Sequence, residues 1–299
     1  MSKGKIVAGC LSPHPPHLVY ATNPPQNEPE ATGSGAWKSL LDGYEALRAS
    51  LRAKDFDVLV LHTPHWKTVV GHHFLGVPHF KDLSVDPIFP NLFRYNYEMD
   101  VDVELGEAIA AEASELGLLT TMMRNPDFRV DYGTITSCHL SYPDWDVPIC
   151  VMSSASPYYY YSNEYGDAEM LALGEATRRA IEKTGKRAVL LASTSLSHRH
   201  FTDEPEDPED PSFGSIYNTN QRSWDDRILD MIRAGEGKRI LAEMPDFIEQ
   251  AVSECREGGL TWLLSALGIP DYPGTVHGYG SVIGTGNAIV EWTPPEVQA

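Results

Sequence analysis

Three apolar runs in this chain each lead into a pair of histidines, and no other feature narrows its possible folds as strongly. The run at 6–11 opens into Ser12-Pro13-His14-Pro15-Pro16-His17. The run at 58–61 opens into His62-Thr63-Pro64-His65-Trp66, and the run at 188–192 leads through 193–196 into Ser197-His198-Arg199-His200. Short uninterrupted apolar runs read as strands buried on both faces of a mostly parallel sheet. Loops at the carboxyl ends of such strands gather on one edge, where open α/β sheets hold their ligands. Six of the eleven histidines would then converge from distant parts of the chain. Neutral imidazole is the commonest protein ligand for a metal, so the pattern predicts a metal enzyme.

Helical spacing fills the stretches between these runs. Residues 36–53 carry Trp37, Leu40, Leu41, Tyr44, Leu47 and Leu51, and 101–117 carry Val101, Leu105, Ile109 and Leu116. Further helices are predicted at 167–183, 215–234, 237–243 and 245–267. Strands are predicted at 118–119 and 147–152, and 275–292 reads as two strands joined near 281–286. Strands alternating with helices give an α/β fold: one large domain over 1–299, with a central mostly parallel or mixed sheet flanked by helices on both faces. The segment 62–100, rich in Pro, His and aromatic residues, suits a functional loop or lid. The Tyr158-Tyr159-Tyr160-Tyr161 cluster suits a domain or subunit surface, or the wall of a pocket.

Composition excludes some partners. The 299 residues carry a formal charge of −19, which argues against a nucleic-acid backbone or an anionic membrane. Part of the excess lies in the proline-broken acidic loop at 203–211, read as solvated surface. The four cysteines, Cys10, Cys138, Cys150 and Cys255, show no CxxC spacing. No apolar stretch reaches membrane-spanning length, and the first residues enter a strand with no secretory signal. The expectation is a cytoplasmic protein with reduced thiols and no zinc–thiolate site.

Within the second histidine pair, His62 continues the alternation of Val58 and Val60 and fits the sheet. His65, beyond a proline and beside Trp66, is freer to enter a cleft. Among 42 acidic residues, Glu254 stands out. On a helix it would share the face of Phe247, Ile248, Ala251, Val252 and Cys255, while Glu249, Gln250, Ser253 and Arg256 point elsewhere. A buried carboxylate needs a partner, either an arginine or a metal. Two imidazoles and a carboxylate can hold non-haem Fe(II) or catalytic zinc, and spacing does not separate them.

At these residues the chain resembles the class III extradiol ring-cleaving dioxygenases, the protocatechuate 4,5-dioxygenase superfamily, over nearly its whole length. The segments that carry the resemblance are 12–18, Asn23-Pro24-Pro25-Gln26-Asn27-Glu28-Pro29, His62-Thr63-Pro64-His65-Trp66, Asp131-Tyr132-Gly133-Thr134, Ser195-Leu196-Ser197-His198, His277-Gly278-Tyr279-Gly280 and Gly284-Thr285-Gly286-Asn287. The resemblance implies Fe(II) held by His14, His65 and Glu254, with His198 as the catalytic acid–base and Tyr132 in contact with the substrate. No role transfers to His17 or His200, which are read as supporting or structural. Within the superfamily the likeness is to its 2-aminophenol-cleaving branch. That implies O2-dependent opening of 2-aminophenol, or a substituted one, to 2-aminomuconate semialdehyde. It also implies an α₂β₂ assembly with a related non-catalytic α subunit. Three alternatives stay open: a catechol substrate, since Ser-Leu-Ser-His-Arg also resembles the homoprotocatechuate 2,3-dioxygenases; a zinc hydrolase with the same ligands; and a non-catalytic partner subunit.

Overall fold

In the computed structural model, residues 3–22, 24, 26–27, 37–68, 70–155, 163–200 and 216–298 are described. The Tyr158–Tyr161 cluster, the acidic loop at 203–211 and most of the 23–29 motif lie outside them. The three apolar runs form β1 (Lys5–Leu11), β2 (Val58–Thr68) and β8 (Arg187–Ala192). With β3 (His72–Leu75), β6 (Thr120–Met123), β7 (Ile149–Ala155), β9 (Thr275–Val282) and β10 (Thr285–Trp292), they build an eight-stranded sheet. Its order is β6-β3-β7-β2-β8-β1-β10-β9. The central four strands, β7, β2, β8 and β1, are parallel. The sheet is mixed, because β3 pairs antiparallel with β7, and β10 antiparallel with both β1 and β9.

Side chains alternate across the sheet as the period of two requires. Val58, Val60, Cys150, Met152, Ala188 and Leu190 point into one apolar layer, covered by α3 (Val103–Glu115), α5 (Asn163–Thr184), α6 (Thr219–Ala234), α7 (Gly237–Ala251) and α8 (Gly259–Ala266). Leu59, Leu61, Ile149, Val151, Val189 and Leu191 point into the other, covered by α1 (Pro16–Thr22), α2 (Lys38–Arg52) and α4 (Tyr132–Ser141). A short α9 (Pro295–Gln298) follows β10. No helix among the described residues is long and apolar enough to cross a membrane.

Three local expectations need correction. The strand expected at 118–119 lies slightly later, as β6, and Leu119 is exposed. The segment 62–100 is not a loop or lid. β2 runs on to Thr68, and β4 (His79–Val85) and β5 (Arg94–Asp100) form an antiparallel hairpin. The signal was present as alternation: Tyr95, Tyr97 and Met99 are buried between exposed Arg94, Asn96, Glu98 and Asp100. Finally, α7 runs straight through Pro245 instead of breaking there, and the helix expected over 245–267 is interrupted at 252–258.

His62 belongs to the sheet, as its parity with Val58 and Val60 suggests. It is buried, stacks on Trp262 and meets Ser154 Oγ through Nε2 at 2.9 Å. Burial, aided by His72, lowers its pKa to about 3. A folded-state pKa below the unfolded value of about 6.5 means the neutral side chain stabilises the fold above pH 6.5. That contribution is lost, at about 1.4 kcal/mol per pH unit, as pH falls from there towards about 3. Urea titrations at pH 7 and pH 5 should therefore show a smaller loss on acidification in His62→Gln than in the wild type. Equal losses would mean that His62 is not the acid-labile group.

Candidate metal centre

The pairings of β8 with its two parallel neighbours end level with one another. Ala192 pairs with Leu11 on one side and with His62 on the other. Ser12 N donates to Ala192 O at 2.9 Å and Ser193 N to His62 O at 3.0 Å, so the ladder continues into the loops. The turn after β1, the far part of β2 and the loop after β8 therefore start from one height, on the edge where ligands were expected to gather.

His14 lies in the four-residue turn between β1 and α1 and is buried. The Tyr44 hydroxyl, on α2, donates to the preceding Pro13 carbonyl. His14 Nδ1 is 2.9 Å from Ser193 Oγ, whose own proton has the Gly133 carbonyl as acceptor at 3.1 Å. A carbonyl can only accept, so the consistent assignment has Nδ1–H donating to Ser193. That leaves the Nε2 lone pair facing the cleft.

His65 comes from the far part of β2. Its backbone N–H donates to Thr63 Oγ1, and Thr63 Oγ1 donates to Asp131 Oδ1 at 2.7 Å. Asp131 is also the N-cap of α4, accepting from Thr134 N at 3.0 Å and Thr134 Oγ1 at 2.8 Å. This explains the Asp131-Tyr132-Gly133-Thr134 motif: the cap fixes the start of α4 against β2, and the first helical residue, Tyr132, lands beside His65. Their ring centroids are 4.3 Å apart, with the Tyr132 hydroxyl 3.0 Å from His65 Nε2. His65 is thus placed by its strand and by the cap of α4, not by release beyond Pro64.

Glu254 arrives by a route the helical argument missed. α7 ends at Ala251, Val252 turns into the left-handed region at φ 51°, and Glu254 opens a 3₁₀ turn. Backbone bonds to the loop after β8 replace the helical ones: His198 N donates to Val252 O, Glu254 N donates to Leu196 O, and Ser197 pairs with Ser253. Val252 itself is exposed, so the proposed apolar face does not extend to it. Glu254 is buried, as the helical argument expects, but for a different local reason. Ser195 N donates to Glu254 Oε2 at 2.5 Å, leaving Oε1 to face His14 Nε2 at 3.3 Å, His198 Nε2 at 3.7 Å and His65 Nε2 at 3.8 Å. These ion-pair partners are imidazoles, not the arginine held open as an alternative.

His14, His65 and Glu254 are the cluster of metal-competent donors found among the described residues, all three ligand atoms lying within 4.8 Å of one another. The His14–His65 Nε2 separation is 2.7 Å. With the two distances to Glu254, it brackets the edge of about 3 Å expected for donors that share a metal at bonds of about 2.1 Å. The electrostatics agree. Burial alone would raise the Glu254 carboxyl, but the imidazoles of His198, His14 and His65 hold it well below the usual carboxylate range. Burial, aided by His14 and opposed by Glu254, depresses the His65 imidazole well below its usual value. Both groups are thus in the state a cation requires. The donors fit a divalent metal.

The remaining expected residues gather around this cluster. His198 Nδ1 is 2.8 Å from Ser195 Oγ, and burial lowers its pKa. Burial, with Asp86, Glu254 and Asp131 nearby, raises the Tyr132 phenol and keeps it protonated. His17 is buried edge-on to Trp37 and Phe89, and exposed His200 lies 3.3 Å from His198 through Nε2; both line the same cleft. The cleft spans about 490 Å³ of space between atoms, open solvent at its mouth included. Its polar end is the histidine–glutamate cluster, and its other walls include Ile88, Phe89, Val282 and Ile283.

Sequence reasoning missed the supporting groups. Ser193 was visible only within a polar run after β8, and Ser195 only as a member of the Ser195-Leu196-Ser197-His198 segment. Asp225, buried on α6, accepts from Ser197 N at 2.9 Å, Ser197 Oγ at 2.7 Å and the Tyr279 hydroxyl at 2.7 Å. Burial, partly offset by those donors, lifts its pKa to about 6. Gly286 on β10 donates to Ser197 O and accepts from Leu196 N, both at 2.8 Å. The loop bearing His198 is therefore clamped from three sides, by α6, β10 and the segment before Glu254.

Gly133 gives a direct test of this packing. A Cβ there would sit 2.9 Å from His65 Cδ2 and 3.1 Å from Asp131 Oδ1. Gly133→Ala should leave the helix intact, since alanine favours it. By tilting the His65 ring it should weaken metal binding about 10–100-fold, the range typical of residues that orient a ligand. Metal titration of folded protein checks this, and unchanged affinity would contradict the placement.

A family model described as the catalytic LigB subunit of aromatic ring-opening dioxygenase matches residues 8–290. Over 292 residues the chain is 52% identical to the 2-aminophenol 1,6-dioxygenase beta subunit of a Pseudomonas species, covering 98% of this chain and 95% of that one. It is 25% identical over 276 residues to the 3,4-dihydroxyphenylacetate 2,3-dioxygenase of Escherichia coli, covering 91% and 94%. It is also 25% identical over 259 residues to the 2-aminophenol 1,6-dioxygenase alpha subunit of a Pseudomonas species, covering 86% and 92%.

Proposed function

The chain belongs to the LigB family of catalytic subunits of aromatic ring-opening dioxygenases, and from that premise we propose that it opens the ring of 2-aminophenol, or a substituted 2-aminophenol, with O2. The product is 2-aminomuconate semialdehyde, formed by breaking the bond between the hydroxyl-bearing carbon and its neighbour outside the heteroatom pair; both oxygen atoms enter the product. The observation that carries this reading is the convergence of His14, His65 and Glu254 at the polar end of a cleft, with His198 beside them.

In this reading His14, His65 and Glu254 hold Fe(II), which when bound supplies a common site for the aromatic heteroatoms and O2 and a path for electrons between them. Imidazole and carboxylate donors on one side suit that ion. His198 acts on protons. Its depressed pKa favours the neutral form, and in the tautomer whose Nδ1–H donates to Ser195 Oγ, Nε2 is the base for the substrate hydroxyl proton. The same atom, once protonated, can return the proton later in turnover. Tyr132 stays a hydrogen-bond donor and orients the ring substituent next to His65. The apolar walls shield the reacting ring from water. His17 and His200 are given supporting places.

We take residues 1–299 as one catalytic domain. A separate alpha subunit is a fitting partner, because the relatives include both beta and alpha subunits, and an α₂β₂ assembly follows by analogy. Buried, unbridged Cys10, Cys138 and Cys150 suit a cytoplasmic location. A catechol is the second substrate reading, supported by the 25% relative. Anaerobic reconstitution with Fe(II), then parallel assays with 2-aminophenol and catechol, separates the two. Preferred loss of 2-aminophenol is expected, and preferred loss of catechol would overturn the substrate assignment. Activity with zinc but not with iron would overturn the metal.

A further inference from the structure

The turn between β9 and β10 contains a residue its backbone does not favour. Val282 pairs with Thr285, so Ile283 and Gly284 form a two-residue hairpin loop. Their φ angles are 44° and 93°, the positive pair of a type I′ turn. That geometry calls for Asn-Gly or Gly-Gly. A β-branched side chain in the left-handed region is an outlier that costs stability. Gly284 meets the requirement at the second position, while Ile283 violates it at the first.

The side chain's location suggests why isoleucine stands there. Ile283 is only 7% exposed, and with Val282 it forms part of the apolar wall of the cleft that holds His14, His65, Glu254 and His198. Ile88 and Phe89 also line this cleft. An aromatic ring held at the polar end has to rest on apolar surface along the rest of its face. Strained backbone clusters at sites where a side chain is aimed at a ligand.

We infer that Ile283 is a specificity-determining residue: its side chain is a wall on which the substrate ring seats, and it limits the bulk that ring can carry. This inference rests on the aromatic-substrate reading above. Gly284 and the hairpin register then serve to hold that wall in place.

The test compares Ile283→Gly and Ile283→Val with the wild type, all loaded with Fe(II), using 2-aminophenol and a methyl-substituted 2-aminophenol. Removing the side chain should raise KM for 2-aminophenol about ten-fold, the effect of a missing apolar contact in a pocket. Iron content should stay unchanged, and the kcat/KM ratio of methylated to plain substrate should rise at least about five-fold. Ile283→Val, which keeps branching and fold, should raise KM about three-fold. A lowered melting temperature with KM and the substrate ratio within two-fold of wild type would make Ile283 a packing residue and overturn the inference. If Ile283→Gly does not fold, an unchanged KM in Ile283→Val overturns it as well. Wild-type protein that turns over neither substrate would instead overturn the aromatic-substrate reading.

Discussion

Glu254→Gln is expected to lose its iron while keeping its fold. The carboxylate is buried with Oε1 facing three imidazoles at 3.3, 3.7 and 3.8 Å. Its negative charge is what makes the cluster hospitable to a dication. An amide has the same size, and its carbonyl oxygen can still accept from Ser195 N, so the loop contacts persist. Residues that merely orient metal ligands change affinity about 10–100-fold. Removing a ligand together with its charge should exceed the upper end of that range, and ring-opening activity should fall with it. Metal analysis after anaerobic reconstitution and desalting reads the loss, with circular dichroism as the fold control. Stoichiometric iron in the variant would mean that the ion binds elsewhere.

His198→Ala should behave in the opposite way: iron retained, turnover lost. His198 Nε2 is 3.7 Å from Glu254 Oε1, at the edge of the cluster, and Nδ1 is held by Ser195 Oγ at 2.8 Å. A positioned general acid–base group contributes about 10²–10⁴-fold, so kcat should drop by that factor at unchanged iron content. Because the imidazole pKa is depressed, the acid limb of the wild-type pH–rate profile should lie below about pH 6.5, and the variant should lack it. Turnover within two-fold of wild type would remove His198 from the mechanism. Paired with Glu254→Gln, the result separates metal binding from proton transfer.

How much of this was legible in the sequence depends on the range of the signal. The apolar runs at 6–11, 58–61 and 188–192 announced the parallel centre of the sheet, because burial on both faces is a local property of the residues. The convergence of their loops followed from topology alone. Parity settled His62. It could not settle His65, whose place depends on β2 continuing past Pro64 and on Thr63 donating to Asp131, the cap of α4, 68 residues away. Glu254 was found through helical periodicity, but what places it is a long-range pairing with the loop at 195–198 that overrides the helix. Tyr132 and His198 came from the family resemblance. The structure supplies the physical reason for each: a helix cap for the first, and the clamp of Asp225, Gly286 and Val252 for the loop bearing the second. Asp225 was invisible, as one acidic residue among 42, because only burial distinguishes it. The alternation from Arg94 to Asp100 was readable and was missed, since the proline and aromatic content of its surroundings suggested a loop.

The most direct test of the whole account is stoichiometry. Wild-type protein reconstituted anaerobically with Fe(II) should consume one O2 for each 2-aminophenol lost, with no uptake in the metal-free chain and no hydrogen peroxide released. Loss of substrate without O2 uptake, or uptake that ends in peroxide with the ring intact, would contradict it.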